Sequence, residues 1–239
     1  MSAWRWLLPG AWLSLSLMAP ELHAAKAAPK PVARPVAKPG LQAPPAGDAR
    51  LGRDKAEAER CFECHGEQGL GVGHGPEAIF ARLAGQKADY IEQQVRHFKA
   101  GLRKNDSMLI TARAVDPEDL RDIAAYFAQL PVMQGEGALD PAAHRSAQDL
   151  TLHGDPARGI AACSSCHGAV GEGLTGSPAP RLAGQESRYL AKQLRDFQQR
   201  QRREAVDSGM AGIASALREA EIEQLASYFS RQGAASAPR

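Results

Sequence analysis

Residues 61–65 read CFECH and residues 163–167 read CSSCH, and these two pentapeptides hold every cysteine of the chain: Cys61, Cys64, Cys163 and Cys166. Two thiols three residues apart, followed directly by an imidazole, are what covalent haem attachment requires. The sulfurs meet the two vinyl groups of one porphyrin, and the histidine reaches the iron from the same side. Other chemistries use paired cysteines, but each needs a setting this sequence lacks. A structural zinc site wants two such pairs close together, whereas 102 residues separate these two. Thioredoxin-type exchange places C-x-x-C on a βαβ background, and no alternating strand pattern is present. Two covalently bound haem c groups are therefore expected, with His65 and His167 as axial ligands of the iron. Once both pairs are alkylated, no thiol remains for a disulfide.

A second axial ligand is legible from spacing. Met108 lies 43 residues after His65, and Met210 lies 43 residues after His167. A lone methionine is ordinarily core filler, because a thioether packs well anywhere. Recurrence at one spacing, each time just before the last helix of a repeat, points to ligation instead. Iron held by histidine and methionine has no open position, so its chemistry is the gain and loss of single electrons, and the thioether favours the reduced state.

The two motifs belong to an internal duplication. Sliding the sequence by 102 residues superposes the C-x-x-C-H motifs and the glycines after them. At an offset of 99, RLAGQ at 82–86 meets RLAGQ at 181–185, Tyr90 meets Tyr189, and Phe98 meets Phe197. The offset then returns to 102, and AYF at 125–127 falls on SYF at 227–229. A period near 100 residues is too long for a solenoid and suits two tandem domains. Within each copy the apolar positions recur at helical spacing. Asp116 and Pro117 form a cap and first turn ahead of a stripe of Leu120, Ile123, Ala124 and Phe127. The fold class expected is all-α.

At 239 residues, 44% of them hydrophobic, the chain has room for two small domains, and a formal net charge of +2 offers no basic face for nucleic acid. Residues 1–24 carry one early arginine, a short apolar run and small residues suited to cleavage, and read as a signal peptide for export; an uncleaved membrane anchor is the alternative. Residues 25–47 are rich in proline, alanine and lysine and read as a flexible tether. The first domain is expected over 48–131, a linker over 132–153, and the second domain over 154–239. The basic run QRQRRE at 199–204 reads as a solvated face, with docking of an acidic partner as the alternative.

The motif CFECHGEQGLG, with RLAGQ, the tyrosine–phenylalanine helix, Met108 and PEDLRDIAAYFAQL, all present twice, resembles the di-haem cytochrome c4 family of class I c-type cytochromes. The likeness covers nearly all of residues 48–233. It implies two tandem class I cytochrome c domains with pseudo-twofold symmetry, in a monomeric periplasmic carrier passing electrons toward a terminal oxidase or another membrane-bound respiratory complex. A cytochrome subunit of a larger dehydrogenase or oxidase complex and, less favoured, a di-haem peroxidase are the competing readings. Such domains place a proline shortly before the RLAGQ segment, with its carbonyl accepting a hydrogen bond from the ligating histidine. Pro180 fills that position in the second copy and Ala81 in the first, so the two haems are expected to be inequivalent. Arg82 and Arg181 are candidates for pairing with haem propionates, assisted by Tyr90 and Tyr189.

Overall fold

The computed structural model describes residues 46–72, 79–135, 140–203 and 209–233. The signal-peptide segment and nearly all of the expected tether lie outside the described residues. Among those described, the chain is helical with no named strand, and all of them belong to one compact unit.

The first repeat runs α1 (Ala49–Ala58), α2 (Phe62–His65), α3 (Ala88–Lys99), α4 (Asp106–Ala114) and α5 (Pro117–Gln129). The second runs α6 (Pro141–His153), a 3₁₀ turn (Pro156–Arg158), α7 (Ser164–His167), α8 (Ser187–Gln198), α9 (Met210–Ala216) and α10 (Glu219–Arg231). Short polar side chains start several of these helices by satisfying otherwise orphaned amides. Asp48 accepts from the Arg50 amide, Asn105 from Met108, Asp116 from Glu118, and Asp140 from Ala142.

Each core forms around the last helix of its repeat. The apolar stripe expected on α5 is buried and packs against α1 and α3, and α10 packs in the same way against α6 and α8. Gly52 lets α1 approach α5 closely: a β-carbon there would stand 2.0 Å from the Asp122 carbonyl oxygen. In the second core, Ile222, Leu225 and Phe229 of α10 meet Leu190 of α8 and Leu150 of α6.

The expected linker over 132–153 requires correction. Its second part is α6, a 13-residue helix that buries Ala147, Leu150 and Thr151 and contributes the first two to the second core. The segment before it is also packed: Met133 is fully buried, and Gly184 can lie against its backbone only because no β-carbon intervenes.

Candidate functional site

Each C-x-x-C-H motif forms a single helical turn. Cys61 precedes α2 and Cys163 precedes α7, so both cysteines of a pair and the following histidine share one rigid turn. The turns close on glycines with positive φ, Gly66 at 72° and Gly168 at 88°, where an L side chain would be strained. All four cysteines are free thiols. Burial pushes the Cys61 and Cys163 thiols up to about 11. Before a haem is attached, both are therefore neutral thiols near pH 7, unlike the low-pKa thiolates of redox-active cysteines.

The histidines are fixed by backbone acceptors. Nδ1 of His65 lies 2.8 Å from the Ala81 carbonyl oxygen, and Nδ1 of His167 lies 2.9 Å from that of Pro180. A carbonyl can only accept, so Nδ1 carries the proton in both rings and Nε2 keeps its lone pair. Alanine substitutes for proline here because the bond uses the main chain. Burial holds both imidazoles below the ordinary histidine range, opposed by these same carbonyl bonds. Nearby cations deepen the effect, Arg103 at His65 and Lys87 at His167.

These features suit a c-type haem at each motif: two free thiols at the right spacing, a neutral imidazole with its metal-binding nitrogen unprotonated, and an exposed apolar side chain nearby. That side chain is Val72 in the first repeat and Leu174 in the second, at matched positions after the motif. Met108 is half-buried in the first turn of α4, its amide held by Asn105. Met210 is half-buried at the first position of α9 and packs with Phe197 and Ala214.

The duplicated RLAGQ segments join the two repeats. The Gln185 side chain accepts from the Arg82 amide at 2.8 Å and donates to the Arg82 carbonyl at 2.9 Å. Gln86 does the same to the amide and carbonyl of Arg181, both at 2.9 Å. Each glutamine thus acts as one residue of a strand pair, and the exchange is reciprocal, as twofold symmetry demands. Arg82 also sends its guanidinium to the Gly184 carbonyl, 2.9 Å away. The Arg181 guanidinium is depressed by burial, with Glu172 opposing.

Tyr90 and Tyr189 meet a different pair of arginines, which the sequence reading missed. Arg103 is buried, donates to the Tyr189 hydroxyl, Gln94 and Gln193, and lies 4.5 Å from the Phe98 ring centre. Arg202 mirrors it. It is also buried, donates to Gln94 and Gln193, approaches the Tyr90 hydroxyl at 3.5 Å, and covers Phe197 at 4.2 Å. The basic run at 199–204 is therefore not wholly a solvated face, since Arg202 turns inward. The offset of 99 that aligns RLAGQ also aligns Gln94 with Gln193 and Arg103 with Arg202, and that recurrence was the available signal.

Comparison with known proteins agrees with this architecture. The cytochrome c family model matches residues 49–131 and again 158–231. Cytochrome c4 of Thiocapsa roseopersicina is 35% identical over 188 residues, covering 78% of this chain and 94% of that protein. The thiosulfate dehydrogenase electron acceptor of Stutzerimonas stutzeri is 34% identical over 177 residues, covering 74% of this chain and 80% of that protein. The crystal structure of reduced recombinant cytochrome c4 from Pseudomonas stutzeri superposes with a TM-score of 0.70 at 34% identity, covering 79% of this chain and all of that one. The duplicated helical fold and its paired haem-attachment motifs are those of a di-haem electron carrier rather than an enzyme, and the chain belongs to the cytochrome c4 family.

Proposed function

We propose that this protein is an exported, periplasmic one-electron relay in which Cys61 and Cys64 hold one haem and Cys163 and Cys166 the other. His65 with Met108, and His167 with Met210, are the axial ligand pairs. The observation that carries this reading is the matched state of the two histidines, each with Nδ1 bonded to a backbone carbonyl and Nε2 free to bind iron. A bound haem supplies reversible exchange of one electron at iron. The protein's part is to fix the imidazole tautomer, keep the ring neutral, and surround each site with packed helices. Arg82 and Arg181, or the interface pair Arg103 and Arg202 with Tyr90 and Tyr189, offer cationic and hydroxyl donors to haem propionates.

The export signal in residues 1–24 supports a periplasmic location, because c-type haem is attached outside the cytoplasm. Among the described residues no helix is long and apolar enough to cross a membrane. Electrons then leave toward a terminal oxidase or another respiratory complex. The likeness to a thiosulfate dehydrogenase electron acceptor favours a sulfur-compound dehydrogenase as donor, and with it the second reading, a cytochrome partner held close to such an enzyme. Met108→Ala and Met210→Ala should each remove about half of the ferric sulfur-to-iron charge-transfer absorbance while leaving two haems per chain. Full absorbance in either variant contradicts the ligand assignment.

A further inference from the structure

One difference between the two sides of the pseudo-twofold interface is a reversal of charge. Directly after each RLAGQ segment stands Lys87 in the first repeat and Glu186 in the second, so the twofold relation places opposite charges on equivalent sites. Their connections differ as well. The Glu186 carboxylate stays within its own repeat, accepting from the Tyr189 amide at 2.6 Å and pairing with Arg188 at 3.1 Å. The Lys87 ammonium crosses to the other repeat and donates to the carbonyls of Leu174 at 3.3 Å, Ala179 at 3.2 Å and Ser177.

Those three carbonyls bound the loop that ends at Pro180, whose own carbonyl holds His167. The loop is tied to the haem-attachment turn too, because the Ser177 hydroxyl donates to the Cys166 carbonyl at 3.1 Å. Lys87 therefore grips, from the first repeat, the segment that orients the proximal histidine of the second.

Building on the proposed function, we infer that Lys87 is a positioning residue for the second haem, clamping the 174–180 loop and raising the reduction potential of that haem alone. A fixed cation beside a low-dielectric site disfavours the extra positive charge of ferric iron. Glu172, which stands where the first repeat has Leu70, places a carboxylate beside the second attachment turn, accepting from the Val170 amide at 3.0 Å. The ordering of the two potentials thus reflects several groups, but the contribution of Lys87 falls on one haem.

The test is a redox titration of the holoprotein as wild type, Lys87→Gln and Lys87→Arg, with each couple assigned by paramagnetic NMR of its ligating histidine. In Lys87→Gln the His167 couple should move to lower potential while the His65 couple stays in place, and Lys87→Arg should hold both near their wild-type values. Loss of the second haem alone in Lys87→Gln, restored in Lys87→Arg, also supports the clamp. Two couples that stay unmoved, or that move together, overturn it. A wild-type protein carrying fewer than two haems would contradict the proposed function instead, so the two failures are distinguishable.

Discussion

Glu221 illustrates what single residues contribute to this fold. Arg158 binds its carboxylate and holds it down to about 2, with Arg218 adding a further pair. A carboxyl lowered on folding stabilises the protein above the ordinary carboxylate range and loses that contribution as pH falls through the folded value. After allowance for solvent screening the contribution is about 1–2 kcal/mol, lost between roughly pH 4.5 and 2. Glu221→Gln should flatten the acid limb of stability measured by urea unfolding across that window, and an unchanged limb would place the acid sensitivity elsewhere. At this scale the haem-attachment residues were legible, because covalent chemistry fixes both their types and their spacing. Gln86 and Gln185 were not. A glutamine both donates and accepts, and that becomes specific only when another segment presents an amide and a carbonyl side by side. Arg202 was hidden for a related reason: a cation in a basic run reads as solvated until an aromatic ring and amide oxygens are found around it.

Elements show how far the duplication constrains local structure. After α3 the chain turns through Gly101 with φ 68°, and after α8 it makes the same turn through Arg200 with φ 55°. The left-handed region costs a non-glycine residue roughly 1–2 kcal/mol, partly offset by the greater entropy glycine loses on folding. Arg200→Gly should therefore stabilise the protein by about 0.5–1 kcal/mol, read as a raised denaturation midpoint at constant slope; a lowered midpoint would mean that the arginine side chain carries a compensating contact. Gly52→Ala should act in the opposite sense, costing about 1–3 kcal/mol through collision with α5. The helices around the motifs could be read from stripe and cap patterns. α6 has the same signal, Asp140 followed by Pro141, as Asp116 and Pro117 before α5. Its surrounding glycines, prolines and alanines read as linker, and only packing against α10 resolves the ambiguity.

For the whole molecule, the duplication does more than supply two sites. Because RLAGQ occurs twice, one glutamine exchange is made twice, and the repeats are joined through main-chain groups that would otherwise lie at the interface without partners. Gln86→Ala with Gln185→Ala should cost about 2–5 kcal/mol in total. It should also split a single calorimetric unfolding transition into two; one intact transition would show that packing alone couples the repeats. The proposed relay needs two haems, each covalently held and closed by histidine and methionine. An optical redox titration of the exported, purified protein, with haem and iron counted per chain, tests this most directly. The prediction is two irons per chain and two one-electron steps, each with the ferric sulfur-to-iron charge-transfer band. Fewer than two irons, or rapid carbon monoxide binding to either reduced haem, would contradict it.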